Sequence, residues 1–427
     1  MSQTLTRTMT ISDAFGSLLR EPLRVRFSAY DGSSTGDPAS PYGLHLRNER
    51  GLSYLLTAPG ELGMMRAYVS GDLQVDGVHP GDPYPVVALL MSRLELRRPG
   101  VVEGLRLLRA LGMSHLRPPE PPAVERVPRW RRTTDGLLHT RTRDAEAIRH
   151  HYDVSNEFYE QLLGPSMTYT CAVYPSRNAS LEGAQDEKYD LIARKLGLRS
   201  GDRLLDVGCG WGGMVRFAAR EYGVHALGVT LAREQADWAR RAIEEQGLGK
   251  LAEVRHLDYR DVPESGFDAV SSIGMTEHIG VRNYPAYFMF LRDRLRPGGR
   301  LLNHCITRPH NRLQPTGPVI DRYVFPDAEL TGVGRITTEA QAAGLEVQHV
   351  ENLREHYALT LEAWTRNLVE HWEVCVQDAG EEIARVWGIY LAGSRIAFER
   401  NDLQLHHVLA SRTDAHGTPA FPLRPNW

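Results

Sequence analysis

An α/β architecture is what this 427-residue sequence predicts: a doubly wound, mostly parallel sheet with a smaller mixed α+β domain ahead of it. Three observations lead there. Between residues 202 and 306, apolar runs of strand length alternate with helical patterns, the mark of a buried parallel sheet with βαβ crossovers. A glycine cluster, Gly208, Gly210, Gly212 and Gly213, follows the first of those runs. Upstream, HLRPPEPPAVERVPRWRR is rich in proline and arginine and reads as a linker. The chain is therefore divided into residues 1–135, a mixed domain with its linker, and residues 136–427, which hold the central sheet.

The elements follow in order. PLRVRFSAYDGS and YGLHLRN read as strands with a turn at Asp31–Gly32. ELGMMRAYVSGDLQVDG reads as a short helix and then a strand. RRPGVVEGLRLLRALG gives a short basic amphipathic helix around 100–112. This basic stretch is either a solvated connector or a patch for anionic lipid head groups. DAEAIRHHYDVSNEFYEQLLG is helical with aromatics on one face. RLLDV, HALGVT, AEVRHL, FDAVSSI and GRLLNHCI supply five strands, with helices at AREQADWARRAIEEQG and from about Tyr284. After residue 307 come two long helical patterns, about 358–378 and 380–399, and a last strand, LQLHHVLA.

Composition excludes several classes. The net charge is −3, so no basic field argues for nucleic acid. The 50 basic residues include only three lysines, Lys188, Lys195 and Lys250. The opening MSQTLTRTMTISDAFGSLLR lacks the apolar core of a secretory signal, and no run reaches about 18 apolar residues. A cytoplasmic protein is expected. Cys171, Cys209, Cys305 and Cys375 lie far apart with no CxxC pair, so neither a metal site nor a disulfide framework is expected.

Gly208, Gly210 and Gly213 fit the spacing G-x-G-x-x-G. A dinucleotide site would need an acidic residue at the end of the second strand, to bind the ribose. Thr230 stands there instead. Asp206, just before the turn, suits a cationic sulfonium better than a pyrophosphate. The turn therefore fits S-adenosylmethionine (SAM). Asp258, Tyr259 and Arg260, after the third strand, fall where such folds contact the adenine.

HYDVSNEFYEQLLGPSMTYTCAVY, LLDVGCGWGG, GVTLAREQ, SSIGMTEHIG, DRYVFPDAEL and FERNDLQL occur in one collinear order. Together they resemble the cyclopropane-fatty-acid synthase family, over roughly residues 145–412. The resemblance implies a class I SAM-methyltransferase (Rossmann-like) fold and alkylation of a double bond in an unsaturated acyl chain of phospholipid. The N-terminal region resembles the extra domain of longer bacterial members. The high arginine usage suits the actinobacterial branch, which makes 10-methylene and 10-methyl fatty acids. On this resemblance SAM is held by Tyr169, Thr170, Gly208, Gly210, Thr230, Gln235, Tyr259 and Ile273; Asp206, Gly212, Leu231, Asp258 and Arg260 complete the expected cofactor site. A bicarbonate ion beside the sulfonium has ligands at Cys171, Glu277, His304 and Tyr357, the expected catalytic set. A homodimer, peripheral contact with the inner face of the membrane and a separate reductase that completes a methyl branch are implied as well.

The chemistry makes its own demands. An isolated alkene is a poor nucleophile, so it needs a strong electrophile in a dry pocket. Attack leaves a carbocation, which aromatic faces stabilise; Tyr169, Tyr174, Tyr284, Tyr323 and Phe325 are candidates. One proton must then leave, and a small oxyanion suits that task. His304 and Tyr357 can donate to it, Cys171 can do so weakly, and Glu277 can accept its proton. Proton loss from the added methyl closes a cyclopropane; a prior hydride shift gives an exocyclic methylene. In isolation Cys171, His304 and Tyr357 read as ordinary buried residues, and the motif context reverses that. Where some family members carry a cysteine, this chain has Ser394, read as a packing residue. Glu146 is read as a solvated helix residue near the acyl entrance, with a role in proton selection as the sharper alternative. Ring formation, small-molecule O- or N-methylation and a catalytically dead lipid binder are the other readings.

Overall fold

The computed structural model describes residues 9–125, 154–312, 314–325 and 328–427. The chain forms two compact units. The first comprises Met1–Arg126, Pro318–Tyr323 and Leu368–Gly393; the second comprises Val127–Gly317, Val324–Asn367 and Ser394–Trp427. Two stretches from late in the chain thus cluster with the N-terminal unit, which a single division near residue 135 does not contain. Glu146 and the helical pattern before residue 154 lie outside the described residues.

The first unit begins with α1 (Ile11–Leu18), β1 (Arg26–Ala29), β2 (Ser34–Gly36) and β3 (Gly43–Leu46). It continues with α2 (Glu49–Thr57), α3 (Glu61–Val69), β4 (Leu73–Asp76), α4 (Tyr84–Arg93) and α5 (Val101–Leu111). The sheet order is β2-β1-β3-β4. The turn at Asp31–Gly32 joins β1 to the short β2, not to the YGLHLRN strand. Asp31 accepts from the amides of Ile11 and Ser33, tying the turn to the start of α1. The YGLHLRN strand, β3, lies on the other side of β1 and pairs with it in parallel. Deeper in the unit, Glu125 receives two bonds of 2.6 Å from Arg66, one from Arg322 and one from the Tyr323 hydroxyl. Burial alone would push this carboxyl up; its four donors outweigh burial and hold it below the usual carboxylate range.

The second unit holds α6 (Asn156–Leu163), α7 (Leu181–Leu196), β5 (Arg203–Val207), α8 (Gly213–Tyr222), β6 (His225–Thr230) and α9 (Arg233–Glu245). Then come β7 (Ala252–His256), β8 (Phe267–Ile273), α10 (Thr276–Ile279), α11 (Tyr284–Arg294) and β9 (Leu295–Thr307). β10 (Gln314–Pro315) and β11 (Glu329–Leu330) form a small pair; α12 (Val333–Ala342), β12 (Glu346–Asn352) and α13 (Arg354–Glu370) follow. α14 (Trp372–Ala379) and most of α15 (Glu381–Glu399) belong to the first unit, and β13 (Gln404–Ser411), back in the second, closes the sheet.

The seven-stranded order is β12-β13-β9-β8-β5-β6-β7. β5 to β9 are parallel, and β13 and β12 add antiparallel at one edge. Helices cover both faces. Ile192, Phe217 and Ala239 pack on one face, and Phe288, Leu291 and Ile336 on the other. The chain order reverses between β5 and β8, so their carboxyl ends flank a switch point, where sheets of this kind bind ligands. The predicted helix over 358–378 is two helices, α13 and α14, with His371 between them. β12 is absent from the sequence reading because it is an edge strand; most of its side chains are half-buried or exposed, so EVQHVEN shows no apolar run. Among the described residues no helix is long and apolar enough to cross a membrane. Among them, too, no cluster of His, Cys, Asp and Glu could hold a metal.

Candidate active site

The turn after β5 puts Gly208, Gly210 and Gly212 at φ of 76°, 54° and 73°, a left-handed backbone that glycine adopts without strain. A Cβ on Gly208 would lie 2.8 Å from Met275 Sδ, whereas one on Gly210 would meet nothing within 4 Å. Gly208 is therefore small for packing, and Gly210 borders open space. Gly213 completes the sequence spacing for a different reason: its Cβ would lie 2.1 Å from the Tyr189 hydroxyl. The amides of Gly208 and Cys209 both donate to the Val229 carbonyl at 3.0 Å. These two amides fasten the turn to β6 and are spent there. Asp206 is buried, accepts from Ser271 Oγ at 2.6 Å, and is pushed up to about 6 by burial.

Residues 169–171 are pinned by α7. Gln185 donates to the Thr170 carbonyl at 3.0 Å, and Lys188 Nζ donates to Thr170 Oγ1 at 2.8 Å. Oγ1 accepts there, so the hydroxyl proton stays available to donate. A Cβ on Gly274 would lie 3.1 Å from Thr170 Cγ2, which places this segment against the loop after β8. Lys188 is buried, and burial pushes its ammonium down to about 7. Its charge acts on Cys171, Asp206 and His304 alike. Sequence reasoning missed Lys188. The available signal was its type: lysine is rare in this chain, two of its three lysines are buried, and a buried ammonium shifts its pKa readily.

The four predicted catalytic residues are all buried. Glu277, on α10, accepts from the Ile306 amide through Oε1 at 2.7 Å. Its Oε2 is buried with no partner among the described residues. Burial pushes this carboxyl up to about 7. His304 Nδ1 lies 2.9 Å from His407 Nε2. Burial and the charges of Lys188 and Lys195 push the His304 imidazole well below its ordinary value, so it is neutral at pH 7. Burial pushes the Cys171 thiol well up; it is not a thiolate. Thr360 on α13 accepts from the Ala172 amide at 3.0 Å, which ties Cys171 to that helix.

Tyr357 lies on α13 with its ring 4.4 Å from Phe398 and 6.2 Å from Trp364. Trp364 is 5.3 Å from Tyr169, Tyr169 is 6.4 Å from Phe325, and Phe325 is 5.5 Å from His278, the neighbour of Glu277. A wall of rings thus runs from Tyr357 to the α10 turn. Of the five candidate aromatics, Tyr169 and Phe325 belong to this wall. Tyr174 donates to the Leu359 carbonyl, and Tyr284 is packed in the core with its hydroxyl on the Thr276 carbonyl. Tyr323 belongs to the first unit and donates to Glu125.

The remaining predicted SAM contacts line the neighbouring strand ends. Thr230 donates to Gln235 Oε1 at 3.0 Å, and the Leu231 carbonyl lies 3.1 Å from His256 Nε2. Asp258 accepts from the Arg260 amide and guanidinium. Tyr259 is buried edge-on against Tyr287 and Phe290. Ile273 pairs in register with His304. The arrangement can hold the proton of an oxyanion at Glu277 and shelter positive charge on an apolar guest against the ring wall.

The family described as "Mycolic acid cyclopropane synthetase" matches residues 139–408. A "Probable fatty acid methyltransferase" of Mycobacterium tuberculosis is 62% identical over 404 residues, 94% of either chain. A protein of the same description from Pseudomonas putida is 44% identical over 289 residues, 66% of this chain and 73% of that one. A solved mycolic acid cyclopropane synthase, complexed with SAH and CTAB, superposes with a TM-score of 0.59 at 30% identity. That match covers 62% of this chain and 97% of the other.

Proposed function

Because the chain belongs to the mycolic acid cyclopropane synthetase family, we propose that it is a SAM-dependent C-methyltransferase of phospholipid acyl chains. Its substrate in this reading is an unsaturated chain, oleoyl by preference, and its product a 10-methylene chain. The observation that carries the reading is the ring wall that ends at His278, next in sequence to Glu277, a buried acid with an unpartnered oxygen. A wall of that kind suits an apolar guest that becomes positively charged and then loses a proton.

SAM fits the open space at Gly210, in the turn that follows Asp206, and the Thr170 hydroxyl keeps a proton to donate to it. When bound it supplies the methyl group. A bicarbonate ion fits Glu277 Oε2, which lacks a partner and can accept its O–H; when bound, it supplies the base. Tyr169 and Phe325 offer ring faces to positive charge on the acyl chain. Tyr357, whose ring meets Trp364 edge-on, is a donor to the anion in this reading. His304, neutral, donates toward the anion.

The membrane contact of this reading falls on α5. Val101 and Val102 are 82% and 68% exposed, and Leu105 and Arg106 are exposed beside them. Leu107 is buried on the other side. Apolar tips flanked by arginine suit an anionic lipid surface. A homodimer, implied by the resemblance, belongs to the reading, and so does a separate reductase, since Thr230 is committed to Gln235 where a nicotinamide site would need an acid.

The test is expression of the full chain in a host rich in oleate, followed by mass spectrometry and NMR of its lipids. A gain of one CH₂ with an exocyclic methylene signal is the expected result. A cyclopropane signal would replace the product and keep the substrate. Methylation of soluble amines or phenols, with lipids unchanged, would overturn the reading.

A further inference from the structure

His304, His407 and Glu351 share one rung of the sheet. His304 on β9 stands opposite His407 on β13, and His407 stands opposite Glu351 on β12. Paired residues on neighbouring strands place their side chains on the same face. On that face α7 contributes Lys195. His304 Nδ1 lies 2.9 Å from His407 Nε2, and His407 Nδ1 lies 3.0 Å from Lys195 Nζ. Lys195 in turn donates to Glu351. Both imidazoles and Lys195 are buried, and Glu351 is half-buried.

The donors run in one direction. An ammonium can only donate. His407 Nδ1 must therefore accept, which leaves the proton of the neutral ring on Nε2. That N–H donates to His304 Nδ1, so the His304 proton sits on its own Nε2. The opposite tautomer of His407 would set an N–H against the ammonium. Glu351 compensates the Lys195 charge, which would otherwise be costly to bury.

We propose that Lys195 and His407 are positioning residues that hold His304 as an Nε2–H donor toward the anion. The inference rests on the reading of His304 as a ligand of that anion. It adds a cause: one buried ammonium, two side chains away, selects the tautomer.

The test uses the full chain with SAM and dioleoyl phospholipid vesicles. The variants are His407→Leu, His407→Gln, Lys195→Met and His304→Gln. A glutamine can present an amide N–H to His304, and leucine cannot. His407→Leu is expected to lower kcat by about tenfold or more, as loss of a partner that orients a site ligand does elsewhere. KM for vesicles and affinity for S-adenosylhomocysteine should hold. His407→Gln should recover most of the loss. In ¹⁵N-histidine spectra, Lys195→Met should redistribute the His304 proton between its two nitrogens. Equal kcat for the leucine and glutamine variants would overturn the inference, as would an unchanged His304 tautomer in Lys195→Met. The tautomer spectrum decides if His407→Leu does not fold. Full kcat in His304→Gln would sink the reading of the anion site itself. An impaired His304→Gln beside an unimpaired His407→Leu would sink only the positioning role.

Discussion

Glu277 shows how burial sets the chemistry of a single side chain. Its carboxyl is pushed up to about 7 by burial, against backbone amide bonds from Ile306 and from Glu277 itself. A raised value means that the protonated form is favoured in the folded chain. Below the unfolded value of about 4.3 the buried carboxyl carries no charge penalty. As pH rises toward 7 the penalty grows to ~3 kcal/mol of stability. Glu277→Gln should therefore unfold at higher denaturant than the parent at about pH 8, with the gap closing by pH 4. A gap independent of pH would show that packing, not ionisation, is at work. Activity should run the other way. Ionised Glu277 is the better acceptor, so kcat should rise through about pH 7, and Glu277→Gln should lose that limb. At this scale the place of Glu277 was legible, because it follows a strand at the carboxyl edge of the sheet. Lys188 and His407 were not, because their roles come from partners distant in sequence: Thr170 is 18 residues from Lys188, and Lys195 is 212 from His407.

The glycine turn and α5 behave differently as elements. G-x-G-x-x-G looks like one motif in the sequence, yet its glycines serve separate needs. Gly210 borders open space, while Gly213 makes room for Tyr189. Gly210→Ala should cost only the left-handed strain of its backbone, roughly 1–2 kcal/mol, and should weaken SAM binding far more than stability. Gly213→Ala should do the reverse, losing roughly 1–3 kcal/mol through overpacking while the folded fraction still binds SAM. Calorimetric titration with S-adenosylhomocysteine beside a thermal melt separates the two. Equal effects in both variants would mean that the turn acts as a unit. For α5 the sequence was informative, because its pattern is local: the predicted helix at 100–112 is observed at Val101–Leu111. Replacing Val101 and Val102 with serine should leave the melt unchanged, since both are largely exposed. It should also reduce co-sedimentation with anionic vesicles. Unchanged sedimentation would remove α5 as the lipid contact.

Across the whole molecule, β5, β6, β8 and β9 were legible because each is largely a buried apolar run, and the edge strand β7 because its buried Ala252 and Val254 alternate with polar residues. The antiparallel edge was half legible: LQLHHVLA is apolar enough to show as β13, and β12 is not. The unit boundary was illegible for a deeper reason. The N-terminal unit draws on Pro318–Tyr323 and Leu368–Gly393, and nothing in the composition marks those stretches as belonging there. Their contacts are specific. Arg322 donates to Glu125, Arg385 donates to the Tyr68 carbonyl at 3.1 Å, and His79 meets Trp372 edge-on at 5.2 Å. A Cβ on Gly388 would lie 2.5 Å from the Pro80 carbonyl oxygen, so the two backbones are in close approach. Deleting residues 1–135 would remove Glu125, Tyr68, His79 and Pro80 together. Trp387 and Leu391, buried in the full chain, would lose the unit that they cluster with, although β5 to β9 and the ring wall lie outside the deletion. The shortened chain should therefore bind a hydrophobic dye and aggregate on heating, where the full chain melts as a monodisperse species. Adding back residues 1–135 in trans should restore part of that stability. A deletion variant that stays monodisperse, with the parent's melting temperature, would show that the late segments fold without their N-terminal partners.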